Sequence, residues 1–169
     1  LARRGSGTWW DADGVAARIA ACREAFEEVG IAPFVSAVVP AKVAAVVEAR
    51  RGTSFREGGA SLKDVLRAAR LSLGIDALVP LARWVTPTAQ LRRFDTRFFV
   101  ARAPAGVPIV ADEREASRAF WASPAALLSD FDAELIHVFP PTHQMLQRLG
   151  GVTSVNDALL IAATSDLTI

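Results

Sequence analysis

Cysteine, histidine and methionine are scarce in this sequence. A single cysteine, Cys22, excludes an internal disulfide and any cysteine-built zinc site. Two histidines, His137 and His143, leave little for histidine-rich metal chemistry. An excess of one charge sign is missing as well: the formal net charge is +1, which removes a bulk electrostatic case for nucleic acid as partner. The longest apolar stretch, Ile31 to Val47, is broken by Pro33, Pro40 and Lys42, so no membrane span is expected. Met145 is the only methionine and the chain opens on Leu1, so a segment upstream is expected to be cut off.

What is present is globular. Hydrophobic residues make up 51% of the 169 positions and charged residues 22%, outside the disordered range. That length suits one domain carrying a sizeable insertion. Seventeen arginines (19 Lys+Arg minus Lys42 and Lys63) beside abundant alanine fit a GC-rich bacterial genome. A cytoplasmic protein is the expectation.

Along the chain, Asp11 or Asp13 is placed to cap a helix from about Val15 to Val29, which Gly30 ends. One or two helices are expected between Pro33 and Pro80, and Ser61-Leu-Lys-Asp64 reads as a helix start. That helix would bury Leu62, Val65, Leu66, Ala69 and Leu73. Aromatic and β-branched residues in Ala82 to Thr86 and Phe94 to Ala103 predict two strands around Thr86-Pro87-Thr88. Glu115 to Trp121 reads as another strand. Helices follow at Ser123-Pro124 through Leu128, Pro141 to Leu149, and Ser154 to Ala163. The mixture is α/β, with a helical insertion over about 33–80 inside a single domain.

On a wheel of ~100° per residue, Val15, Ile19, Cys22, Phe26 and Val29 fall within about 80°, a buried stripe. Glu24, Glu27 and Glu28 cluster opposite, flanked by Arg23. Three carboxylates so close repel, which a helix built only for stability would avoid. Their spacing suits a hard divalent cation such as Mg²⁺, with Arg23 fixing one glutamate by a bidentate pair. A solvated acidic face is the plain alternative.

Arg23-Glu24-Ala25-Phe26-Glu27-Glu28-Val29-Gly30-Ile31 resembles the second half of the Nudix box, Arg-Glu-U-x-Glu-Glu-x-Gly-U, with U a bulky apolar residue. Ala25 fills the first U only weakly. The resemblance implies an α/β/α sandwich with a mixed sheet, and hydrolysis of nucleoside diphosphates linked to another moiety. It implies that Glu24, Glu27 and Glu28 ligate Mg²⁺ or Mn²⁺, that Glu24 also handles the attacking water, and that Arg23 orients the glutamates. Trp84-Val-Thr-Pro-Thr88, Arg93-Phe-Asp-Thr-Arg-Phe-Phe99, Trp121-Ala-Ser-Pro124 and Pro140-Pro-Thr142 are similar, in order, to the coenzyme A diphosphatase branch typified by nucleoside diphosphate-linked moiety X motif 19.

The front half of the box departs. Its Glu and Gly fall on Val15 and Trp9, and the usual Pro-Gly-Gly is absent. Either a segment between about Trp9 and Trp10 is omitted from the chain, or the box is degenerate; the first reading is favoured.

Glu115, six residues before Trp121, stands where many members place an additional metal carboxylate, with Glu113 a competitor. Arg92, Arg93 and Arg97 surround a strand expected to line the substrate cleft. Arg93 is a candidate for a diphosphate, although a structural ion pair with Asp95 is the favoured reading. Trp84, Trp121 and Cys22 read as core, and His143 as a surface residue. Coenzyme A or an acyl derivative leads as substrate, with ADP-ribose and dinucleotides open. A catalytically silent Nudix-fold binding module is the alternative. Val43, Val46 and Val47 suggest a homodimer contact.

Overall fold

A computed structural model describes residues 9, 11–34, 41, 45, 62–89, 91–111 and 116–167. Expectations for the helical insertion and the valine contact fall mostly or wholly outside those residues. The chain sorts into two compact units, one on Gly5–Leu78 and Arg102–Phe120, the other on Val79–Ala101 and Trp121–Ile169.

The first unit is organised by α1, Ala12–Val29. Asp11 starts it: its carboxylate accepts the Gly14 N–H at 2.8 Å, satisfying one of the amides a helix start leaves bare. Gly30 ends it in the left-handed region at φ 76°, where a side chain is disfavoured, and its N–H donates to the Phe26 carbonyl. A short helix α2, Leu62–Ala68, buries Leu62 and Leu66 as its apolar spacing predicts, but it ends before Ala69 and Leu73, which are half-buried beyond it. A 3₁₀ turn, Ile75–Ala77, then leads to the buried Leu78.

The buried face of α1 differs from the wheel. Gly14, Arg18, Cys22 and Phe26 are inside, whereas Ile19 is 45% exposed. Cys22 and Phe26 belong to both stripes. Arg18 takes the inner position because two backbone carbonyls meet it there, a partnership hydropathy does not report.

In the second unit, β1 (Val79–Val85) and β2 (Asp95–Val100) pair antiparallel. Register slips by one residue between Pro80 and Ala82, so Leu81 bulges and both Leu81 and Ala82 turn inward. Proline has no N–H to give a ladder, and it sits beside the bulge accordingly. Three helices follow: α3 (Pro124–Asp132), α4 (Pro140–Leu149) and α5 (Val155–Thr164). Ser123 and Ser154 cap α3 and α5 by accepting the Ala126 and Asp157 amides. Leu81, Ala82, Met145 and Ala162 form the core, with Val79, Phe98, Val100 and Leu149 against it. Arg148 ties this core to the chain end, donating to the Leu81 carbonyl at 3.2 Å and the Asp166 carbonyl at 2.6 Å.

Two expectations need correction. Residues 116–121 form no strand, and Trp121 is 69% exposed rather than core. Consecutive exposure of Phe120 and Trp121 breaks the inside–outside alternation a half-buried strand needs. Arg118 stacks instead over the Phe120 ring at 4.8 Å.

Candidate active site

Five of the six predicted site residues are described; Glu115, like its competitor Glu113, lies outside the described residues. Arg23, Glu24, Glu27 and Glu28 all sit on the last two turns of α1, on the side away from Cys22 and Phe26. The structure brings three of them together. Arg23 hydrogen-bonds Glu24 through Nη2, and its Nη1 lies 3.6 Å from Glu27 Oε2. A cation between two carboxylates lowers their mutual repulsion and holds both side chains in place. Glu27 is the more enclosed, its side chain 14% exposed against 42% for Glu24. Glu28 is exposed.

Among the described residues, no three carboxylate, imidazole or thiol groups converge at metal-holding range. The donor chemistry nevertheless suits magnesium or manganese. Mg²⁺ keeps most of its waters and takes one or two carboxylates plus substrate phosphate oxygens. Hard oxygen donors one turn apart on a rigid helix meet that need.

The helix is held at its C-terminus and along its buried side. At its C-terminus, the Val29 carbonyl accepts the Val110 N–H at 3.0 Å. At its buried side, Arg18 donates from Nη1 to the Leu78 carbonyl at 2.6 Å and from Nε to the Trp9 carbonyl at 3.4 Å. Burial lowers the Arg18 pKa, and Asp76 partly offsets that. Burial likewise pushes the Cys22 thiol up to about 11, against a smaller opposing effect of Arg18, so Cys22 is a packing residue and no nucleophile.

Arg93 belongs to the other unit, in the β1–β2 turn. It is exposed and donates from Nε to the Thr86 carbonyl at 3.0 Å. Its expected ionic partner is taken: Asp95 pairs with Arg83, Nε–Oδ1 2.7 Å and Nη2–Oδ2 2.6 Å. The antiparallel register sets Arg83 opposite Arg97 and places Asp95 diagonal to Arg83, which decides the choice. Arg18 and Arg83 are the residues that sequence reasoning missed. Strand alternation once the register is known finds Arg83; nothing local marks Arg18. His143, expected on the surface, is half-buried with its ring 4.5 Å from that of Phe131. No predicted site residue lines the open pocket formed by Phe131, Asp132, Glu134, Leu135, Ile136 and His137.

The NUDT19 Nudix domain profile matches residues 4–149, most of the chain. This protein belongs to that Nudix family. Its sequence is 31% identical over 159 residues to the acyl-coenzyme A diphosphatase NUDT19 of Homo sapiens, covering 85% of this chain and 41% of that protein. The Gallus gallus acyl-coenzyme A diphosphatase NUDT19 is 30% identical over 163 residues, covering 85% and 43%. The chain thus spans about two fifths of the curated relatives it matches. The crystal structure of a NUDIX hydrolase from Alicyclobacillus acidocaldarius superposes with a TM-score of 0.59 at 24% identity, covering 94% of this chain and 69% of that one. That likeness carries the α/β Nudix fold. No described helix is long and apolar enough to cross a membrane.

Proposed function

We propose that this Nudix domain is a divalent-metal-dependent diphosphatase. It would hydrolyse the diphosphate of a nucleoside diphosphate derivative, with coenzyme A or an acyl-coenzyme A as the leading substrate. One observation carries the reading: the Arg23–Glu24–Glu27 cluster on the outer face of α1, in the last two turns before the Gly30 cap.

Glu24, Glu27 and Glu28 would hold Mg²⁺ or Mn²⁺, and Glu115 would add a fourth carboxylate. When bound, such an ion neutralises the diphosphate charge and acidifies water. Glu24 would accept the proton of the attacking water as its oxygen bonds to phosphorus and the bridging P–O bond breaks. Arg23 would keep the Glu24 and Glu27 carboxylates aimed outward. On the other unit, Arg93 is proposed separately as a phosphate-binding residue, by its fork of donors. The named relatives, acyl-coenzyme A diphosphatases, support the substrate class.

A catalytically silent binding module is the second reading. Val15, the position of a box glutamate, lies half-buried inside an unbroken α1 and supplies no carboxylate.

The test offers coenzyme A, acetyl-coenzyme A, ADP-ribose, NADH and a diadenosine polyphosphate to the protein with Mg²⁺ or Mn²⁺. Products are read by mass, beside a Glu28→Gln variant. Metal-dependent cleavage that the variant loses is the expected result. Folded protein that binds metal and leaves every substrate intact would transfer the assignment to the binding module.

A further inference from the structure

We infer that Arg18 is a positioning residue that sets the rotational phase of α1 and thereby the presentation of Arg23, Glu24, Glu27 and Glu28. This rests on the proposed metal-dependent hydrolysis.

Arg18 is fully buried, on a stripe with Gly14, Cys22 and Phe26. Stability alone does not call for an arginine there. Burying a guanidinium costs solvation, and an apolar side chain of similar volume commonly serves as well or better. What apolar packing lacks is direction. Arg18 bonds two backbone carbonyls from separate parts of the unit, Leu78 at 2.6 Å and Trp9 at 3.4 Å. Hydrogen bonds weaken steeply off axis, so this pair resists rotation of the helix about its own axis.

Gly14 adds a second stop on the same stripe. A Cβ at Gly14 would stand 2.3 Å from the Trp9 carbonyl carbon and oxygen. The helix start therefore presses on the backbone that Arg18 also grips. Glu27, nine residues beyond Arg18, lies ~180° around the helix, where a turn of ~20° moves a side-chain tip about 2 Å. A displacement near 1 Å in a catalytic constellation costs on the order of 100-fold in rate.

The experiment compares the full chain with Arg18→Met and Arg18→Lys, with Glu28→Gln as the site-dead reference. Folding is followed by circular dichroism and thermal unfolding, Mn²⁺ binding by electron paramagnetic resonance without substrate, and kcat and KM on coenzyme A. Arg18→Met is expected to fold, to lose ~10–100-fold in kcat with KM unchanged, and to bind Mn²⁺ ~10-fold more weakly. Arg18→Lys, which keeps a donor for one carbonyl, is expected to recover part of both. A folded Arg18→Met with wild-type kcat and Mn²⁺ affinity overturns the inference. Should only Arg18→Lys fold, its kcat and Mn²⁺ affinity decide in the same way. Two variants that both fail to fold assign Arg18 to stability alone and overturn it equally. Wild-type protein that neither cleaves nor binds Mn²⁺ removes the underlying hydrolase reading instead, a result distinct from active wild type with indifferent Arg18 variants.

Discussion

Arg83 grips Asp95 with both arms, Nε–Oδ1 at 2.7 Å and Nη2–Oδ2 at 2.6 Å, across the β1–β2 ladder. The register sets Arg83 opposite Arg97, and the Asp95 carboxylate on the diagonal offsets that like-charge pairing.

Asp95 is expected to contribute little and with a defined pH dependence. Arg83's hydrogen bonds, with its charge and that of Arg97, hold the Asp95 carboxyl below the usual carboxylate range. A depressed acid stabilises above its unfolded pKa of ~3.9, and that contribution fades as pH falls through the folded value. Both side chains are about two-fifths exposed, so screening limits the pair to ~0.5–1 kcal/mol. Urea unfolding of Asp95→Asn should show that deficit at pH 7 and a smaller one near pH 3. An equal deficit at both values would mean the pair is not the cause.

How much was legible follows from what each element depends on. Helix α1, its Asp11 cap and its Gly30 stop are local, written within twenty residues. The same holds for the Ser123 and Ser154 caps and for the two strands around Thr86. The carboxylate cluster was legible because helical spacing alone places Arg23 near Glu27. Arg18 was not: its burial depends on a carbonyl at Leu78, sixty residues away. Arg83 needed the register, which the bulge at Leu81 shifts and no residue spacing announces. The stretch before Trp121 failed for a third reason: β-propensity counts residue types, whereas a strand also needs a partner edge.

Gly14 is expected to resist the usual stabilising exchange. Alanine inside a helix gains about 1 kcal/mol over glycine. Here the new methyl would meet Trp9 backbone at 2.3 Å, and backbone cannot swing aside as a side-chain tip does. Steric cost of ~1–3 kcal/mol should outweigh the propensity gain, so Gly14→Ala lowers the unfolding midpoint. Gly151→Ala is the control, since nothing lies within 4 Å of its Cβ position. Thermal unfolding that ranks the two variants the other way would show that α1 can shift off Trp9.

Cys22 supplies an alkaline prediction. Its thiol is raised from 9.0 to about 11, chiefly by burial. A raised acid stabilises fully below its unfolded pKa, and the contribution is lost as pH climbs toward the folded value. Two pKa units correspond to about 2–3 kcal/mol. The stability advantage of wild type over Cys22→Ala should therefore shrink by that order between pH 8.5 and 11. Thiol labelling at pH 8 should be slow in native protein and immediate in urea. Fast native labelling would contradict the buried setting.

Arg23 should separate stability from activity. Its side chain is 48% exposed, and its pairs with Glu24 and Glu27 are surface pairs worth ~0–1 kcal/mol. Removing it also takes away one cation that offsets the repulsion among Glu24, Glu27 and Glu28, a further few tenths of a kcal/mol per pair. Arg23→Ala should thus unfold within a few degrees of wild type. Its kcat on a coenzyme A substrate should nevertheless fall ~10–100-fold, the usual loss when a residue that orients metal-binding carboxylates is removed. Arg23→Lys should fall between the two, because a point charge balances the carboxylates but cannot reach both with a planar fork. Raising Mn²⁺ should restore part of the lost rate in both variants, since the misaligned carboxylates bind the ion more weakly rather than not at all. Wild-type kcat in Arg23→Ala would remove Arg23 from the machinery and leave its two ion pairs as surface decoration of α1.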